Sequence, residues 1–220
     1  MDNANYTTSG SDTFDVTPDE STIVINSIAG VTYPDDVVVT YTTNSAVSAV
    51  VVYVKGTTTQ VGSVTRGTNQ VTVSGLGAGT YTIKITVKDA NHAENSATKD
   101  FTVNPASSTI EDIAPVTVVY GEGANVTVVT TGATGIIAEL LSGDSPVQGV
   151  SVDGNVISIA DNIDAGTYTL VVTTVVDANH NAVSKNTTVT VGSADSTIEP
   201  IDSVTVVYGE GANVTVVTTG

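Results

Sequence analysis

Residues 108–132 and 196–220 of this chain are nearly the same sequence. The first stretch reads STIEDIAPVTVVYGEGANVTVVTTG and the second STIEPIDSVTVVYGEGANVTVVTTG, identical at 22 of 25 positions and offset by 88 residues. A chain built this way is expected to be a slice of a tandem array, and a role in length and display is expected of it rather than one in a catalytic pocket.

Three anchors set the register. Ser21-Thr22-Ile23, Ser108-Thr109-Ile110 and Ser196-Thr197-Ile198 form the first, and Tyr33, Tyr120 and Tyr208 the second. The third pairs Ala78-Gly79-Thr80-Tyr81 with Ala165-Gly166-Thr167-Tyr168. The period is 87 residues, and it becomes 88 through one extra residue between Tyr168 and Asp177. Complete repeats are therefore expected at 21–107 and 108–194. Residues 1–20 read as a tail and the last strand of a preceding repeat, because Thr13-Phe14-Asp15-Val16-Thr17-Pro18 parallels Asp100-Phe101-Thr102-Val103-Asn104-Pro105. Residues 195–220 read as the truncated start of a third repeat. Both end pieces are expected to fray or to pair between molecules, since neither buries an apolar face alone.

Within a repeat, valine, isoleucine, threonine and tyrosine alternate with period two, the pattern of half-buried strands. In repeat 1 the strands are predicted over 21–26, 36–43, 48–54, 59–65, 70–74, 80–88 and 98–103. Repeat 2 gives 108–113, 125–130, 136–141, 147–152, 155–160, 167–176 and 187–191. Seven short strands with a turn signal every ten or so residues predict an all-β fold, a two-sheet sandwich in each repeat. Tyr41, Tyr53 and Tyr81 are expected in the core.

The net charge is −17, from 23 acids against six bases. Residues 21–107 are neutral, five acids against five bases, whereas 108–194 hold nine acids and Lys185 alone. No basic stripe exists, which excludes nucleic acid as a partner. No apolar run approaches the length of a membrane span, so direct membrane insertion is not expected. Cysteine is absent, and each repeat is large enough to bury a core without disulfides.

Gly79 and Gly166 precede Tyr81 and Tyr168 at the start of the long sixth strand. A tyrosine there folds back to hydrogen-bond the backbone of its own crossover, and the glycine relieves the tight turn, so these four residues read as structural. Asp89-Ala90-Asn91-His92 and Asp177-Ala178-Asn179-His180 lie between the sixth and seventh strands. Asp89, Asn91, Asp177 and Asn179 fit a hairpin turn, because asparagine and aspartate form Asx turns. The same residues are calcium candidates if Glu111 and Asp112, or Glu199 and Asp202, add oxygens, since calcium takes six to eight. No other cofactor is expected. No nucleophile elbow, phosphate loop or zinc-protease motif is present, so the chain does not read as an enzyme. Sequons stand at Asn5-Tyr6-Thr7, Asn125-Val126-Thr127, Asn186-Thr187-Thr188 and Asn213-Val214-Thr215.

Val118-Val119-Tyr120-Gly121, Asp164-Ala165-Gly166-Thr167-Tyr168 and Asp177-Ala178-Asn179-His180 resemble the tandem immunoglobulin-like domains of bacterial and archaeal cell-surface proteins. The Ser-Thr-Ile starts and Asn-Val-Thr-Val strands look like adhesin-like proteins of methanogenic archaea. The resemblance implies tandem immunoglobulin-like sandwiches of about seven strands each. It also implies an extracellular, cell-surface location and a stalk that projects a distal binding region. Partners are then the neighbouring repeats of the same chain and, through the parent protein, a host-cell protein or glycan. The alternatives are a carbohydrate- or protein-binding module, and homotypic association through edge strands.

Overall fold

The computed structural model describes residues 12–219. The chain divides into two compact units, Met1–Pro105 and Ala106–Gly220, a boundary two residues ahead of the one the Ser-Thr-Ile anchor suggests.

The first unit contains β1 (Ile23–Ile25), β2 (Val31–Thr32), β3 (Val37–Thr43), β4 (Val47–Val54), β5 (Ser63–Gly67), β6 (Gln70–Ser74), β7 (Gly79–Val87) and β8 (Asn95–Asn104). They form two four-stranded sheets, ordered β1-β3-β6-β5 and β2-β8-β7-β4. Strand alternation builds the core between them. Val37, Val39 and Tyr41 of β3, with Val71 and Val73 of β6, meet Tyr81, Ile83, Ile85 and Val87 of β7. The odd residues of β7 are buried, and the even ones, Lys84 among them, face outward. Tyr53 corrects one expectation. It follows the fully buried Val52, sits opposite the outward Thr82, and is half-buried on the outer face rather than in the core.

The second unit contains β9 (Ala106–Ser107), β10 (Thr109–Ile110), β11 (Val116–Val119), β12 (Ala124–Thr127), β13 (Thr130–Thr131), β14 (Gly135–Ser142), β15 (Ser145–Val147), β16 (Val150–Asp153), β17 (Val156–Ile159), β18 (Gly166–Val175), β19 (His180–Asn181) and β20 (Ser184–Gly192). β12 and β13 correspond to the continuous β3 of repeat 1. β12-β17-β16 and β10-β13 make one face, and β11-β20-β18-β14-β15 the other. Leu140, Ile157, Leu170, Val172 and Val189 are fully buried between them. The extra residue of repeat 2 falls at the end of β18, which has ten residues against nine in β7.

Two features depart from the seven-strand prediction. First, the segment before each Tyr33 or Tyr120 turn is itself a strand. In both repeats the opening strand pairs antiparallel in one sheet, β1 with β3 and β10 with β13. The chain then crosses, and the next strand joins the last strand of the opposite sheet in parallel, β2 with β8 and β11 with β20. Second, the strands predicted over 59–65 and 147–152 are each split by a glycine. In repeat 1, Val61 donates to Val52 in one sheet, while β5 pairs with β6 in the other. In repeat 2, β15 pairs with β14, and β16 pairs with β17. The chain changes sheets at Gly62 (φ +74°) and Gly149 (φ +124°), conformations that a side chain resists.

At the ends, residues 12–18 form no strand, and Phe14 and Val16 are exposed. β21 (Thr197–Ile198) pairs with β22 (Thr218–Thr219) in the register of β10 with β13. Ile198, Val206 and Val214 are exposed there, whereas their counterparts Ile110, Val118 and Val126 pack into the repeat 2 core.

Candidate functional site

The Asp-Ala-Asn-His loops are built alike. The Asp89 carboxylate accepts the Asn91 N–H at 2.9 Å and contacts His92 Nδ1 at 2.8 Å. Asp177 does the same with Asn179 at 2.9 Å and His180 at 2.8 Å. The histidine contact, followed by the asparagine N–H, holds each carboxyl below the usual carboxylate range. In repeat 1 the second Asp89 oxygen also takes the Ala46 N–H at 3.3 Å. Among the described residues, no group of three or more His, Cys, Asp or Glu is placed to hold a metal. Asp112, proposed above as a helper ligand, is taken up by the Lys185 ammonium, which also donates to the Ile110 carbonyl at 3.3 Å. Repeat 1 has the apolar residues Ile25 and Ala97 at those two positions.

The shaped loop presents its backbone to the chain entering the same repeat. Asp19 N–H donates to the Asn91 carbonyl at 2.8 Å, and Ala93 N–H returns a bond to the Asp19 carbonyl at 2.7 Å. In repeat 2, Ala106 N–H donates to Asn179 at 2.9 Å and Ser108 N–H to Asn181 at 3.1 Å. The invariant serine of the Ser-Thr-Ile anchor closes this clamp. Ser21 Oγ donates to the Ala93 carbonyl. Ser108 Oγ, buried, donates to the Asn181 carbonyl at 2.6 Å and pairs with Thr174 Oγ1 at 2.8 Å. Sequence reading found the anchor without finding its role. Its signal was the exact repetition of a small polar residue at the start of each unit.

The tyrosines close the crossovers. Tyr81 Oη donates to the Gly77 carbonyl and Tyr168 Oη to the Asp164 carbonyl, both at 2.8 Å. Burial pushes the Tyr81 hydroxyl pKa up. Neither Gly79 nor Gly166 has a positive φ, so turn strain does not explain them. A Cβ on Gly79 would stand 3.2 Å from the Tyr81 hydroxyl, and one on Gly166 would stand 3.3 Å from that of Tyr168. Each glycine makes room for the folded-back ring.

The parallel pairings differ between repeats. β2 pairs with β8 through Val31↔Val103 and Thr32↔Asn104, and β11 pairs with β20 through four positions, Val116↔Val189 to Val119↔Gly192. Tyr33 N–H and Tyr120 N–H each extend the ladder by one bond of 2.8 Å, to Asn104 and Gly192. Repeat 1 reaches its following turn through a cis Tyr33–Pro34 peptide, and repeat 2 through Gly121 at φ +88°.

Half-buried Tyr53 lies beside Thr82, whose hydroxyl donates to Asp100 at 2.6 Å, while Lys55 pairs with Asp100 at 2.9 Å. Along the free side of β4, the Arg66 guanidinium donates to the carbonyls of Val47 at 3.1 Å and Ser48 at 3.4 Å. Val152 holds the ladder position of Arg66, opposite Ile157 as Arg66 is opposite Val71, and offers no guanidinium to the carbonyls of β14.

Two sandwiches, each with an opening strand in one sheet and a following strand that joins the last strand of the other sheet in parallel, have the fold of tandem immunoglobulin-like domains, and comparison with solved structures shows the same fold. The chain is similar to a fragment of several titin domains, with a TM-score of 0.50 at 14% identity over 79% of this chain and 66% of that one. It is also similar to the titin domains solved in complex with telethonin, with a TM-score of 0.43 at 15% identity over 81% and 100% of the two chains. The insect immune protein hemolin matches with a TM-score of 0.41 at 14% identity, over 82% and 49% of the two chains. No protein-family model and no curated protein matches the sequence.

Proposed function

We propose that the chain is a spacer segment of an extracellular adhesin-like surface protein, carrying load along the array and holding a distal binding region away from its anchor. One arrangement carries this reading. In each repeat the second strand and the last strand run parallel and side by side. The chain enters through the first strand, crosses to the second, and leaves from the end of the last. Tension along the array pulls these two strands in opposite directions, so their hydrogen bonds are loaded together in shear rather than opened one by one. The loop clamp at Asp19 or Ala106 adds an attachment ahead of the first strand. The acidic surface keeps neighbouring arrays apart. Surface location and the bacterial or archaeal setting rest on the sequence resemblance. The test of location is protease shaving of intact cells. Loss of the repeats from intact cells supports the reading, and protection until lysis contradicts it.

A second reading, homotypic association through edge strands, is favoured by the contrast between Arg66 and Val152. Among the described residues, no strand pairs with Gly135–Glu139 on the side away from β18, and Ile137 is 59% exposed there. A strand segment without a partner on one side is a template for another strand. Sedimentation of the chain and of Val152→Arg tests it: self-association that the substitution abolishes supports pairing through repeat 2. The carbohydrate-binding alternative rests on Tyr53. Glycan-array binding that is lost in Tyr53→Ala would support it.

A further inference from the structure

Asparagine is disfavoured inside strands, because its side chain competes for local backbone and packs poorly on a pleated surface. Most asparagines of the described chain obey this. Asn26 bonds Thr40 Oγ1 at 2.8 Å, Asn44 bridges to the Glu20 carbonyl at 3.1 Å, and Asn95 donates to the Ser21 carbonyl at 2.7 Å. Asn95 and Asn104 stand at the two ends of β8. The strand-interior asparagines among the described residues are Asn125 of β12 and Asn186 of β20. Both are exposed, and neither side chain has a hydrogen-bond partner among the described residues. Both open a sequon whose hydroxyl residue, Thr127 or Thr188, is exposed on the same face by strand alternation. Asn213, at the position of Asn125 in the third repeat, is exposed with Thr215.

From this placement we infer that Asn125, Asn186 and Asn213 are N-glycosylation sites, occupied by an oligosaccharide on the outer faces of the sandwiches. The inference rests on the extracellular reading above. In the transfer, the asparagine side-chain nitrogen bonds to the anomeric carbon of a lipid-phosphate-linked oligosaccharide. The bond from that carbon to the phosphate oxygen breaks, the lipid phosphate leaves with the electron pair, and the amide gives up one proton. A membrane-bound oligosaccharyl transferase supplies the catalysis before the strands close. The folded surroundings accommodate the product. Asn125 lies opposite Ser158, which lies opposite Ser151, so a row of short side chains leaves the outer face open. Asn186 lies opposite Val171, which lies opposite Glu139, beside a shallow depression of mixed character lined by Ile137, Ala138, Glu139, Val171 and Thr173. The first sugar ring covers that depression. Repeat 1 supplies an internal control. Its counterpart of Asn125 is Val38, its counterpart of Asn186 is Thr98, and residues 21–107 contain no sequon.

The test is peptide mass spectrometry of the native chain, recovered separately from the cell-surface and cytosolic fractions and cut with an acidic-residue protease. The expected result is hexose or N-acetylhexosamine mass on the peptides of Asn125, Asn186 and Asn213, and none on repeat 1 asparagines. Unmodified peptides from a surface-located chain overturn the glycan inference and leave the spacer reading standing. An unmodified chain confined to the cytosol overturns both. In chain produced without glycosylation, Asn125→Gln and Asn186→Gln are expected to leave Tm within about 1 °C, as for surface substitutions without partners. A loss of several degrees would assign these asparagines a structural role and overturn the inference.

Discussion

The Tyr168 hydroxyl donates to the Asp164 carbonyl at 2.8 Å, four residues back along its own chain. Gly166 is what allows the ring to lie there, since a Cβ would stand 3.3 Å from that hydroxyl. Tyr168→Phe is expected to cost about 1 kcal/mol, the net worth of one hydrogen bond. That lowers the melting temperature of repeat 2 by about 4–8 °C in calorimetry, with repeat 1 unchanged. Gly166→Ala is expected to cost a similar amount. The double variant should cost less than the sum, because the added methyl then has no hydroxyl to crowd. Additive losses would place the glycine's role elsewhere.

The tyrosine's partner was legible in the sequence, and the glycine's purpose was not. Gly-Thr-Tyr repeats at the start of a clean alternating strand, and that context implies a hydroxyl folded back on the crossover. A glycine before a strand is ordinarily read as a turn residue, yet here it clears space for a ring two residues ahead. The parallel strands Val31–Thr32 and Val116–Val119 were missed for a different reason. Their partners lie some seventy residues away, and local alternation carries no information about a parallel neighbour. The loop aspartates were found as a motif, but their role depends on Asp19 and Ala106, which only the folded chain brings beside them.

Gly62 and Gly149 are the sheet-switching points. A Cβ at Gly149 would come within 2.7 Å of Ile163 Cγ1, and one at Gly62 within 2.8 Å of Leu76 Cδ2 and 3.1 Å of the Ser74 carbonyl. Left-handed backbone and core crowding combine, so Gly149→Ala is expected to destabilise repeat 2 by about 2 kcal/mol or more. Denaturant unfolding of single repeats checks this. An unchanged midpoint would show that the switch tolerates a side chain.

Asp89 and Asp177 titrate below their ordinary value of 3.8, first through His92 and His180 and then through the asparagine N–H groups. A folded-state pKa below the unfolded one gives stability that is complete above about pH 5 and is lost as pH falls through the folded pKa. The difference in Tm between the chain and Asp89→Asn/Asp177→Asn should therefore shrink as pH falls below the ordinary carboxylate value of 3.8. A difference that grows on acidification would contradict the loop geometry.

The same carboxylates are already held by loop donors, so 2 mM calcium is expected to move Tm by less than about 1 °C relative to EDTA, the response of a chain with no millimolar site. A rise of about 5 °C or more would establish calcium binding at Asp89 and Asn91 or at Asp177 and Asn179.

The load-bearing account is tested most directly by pulling the chain from its two ends in single-molecule force spectroscopy. Two discrete unfolding events are expected, each releasing roughly 280 Å, which is about 310 Å for 87 residues at about 3.6 Å apiece less about 30 Å already spanned by the folded repeat, a strand of about ten residues at ~3.3 Å. The event at higher force should belong to repeat 2, whose parallel pairing spans four positions against two in repeat 1. Val118→Pro, which takes an N–H out of that pairing, should lower the second force and leave the first unchanged. Gradual, low-force extension without discrete events, or a second force indifferent to Val118→Pro, would contradict it.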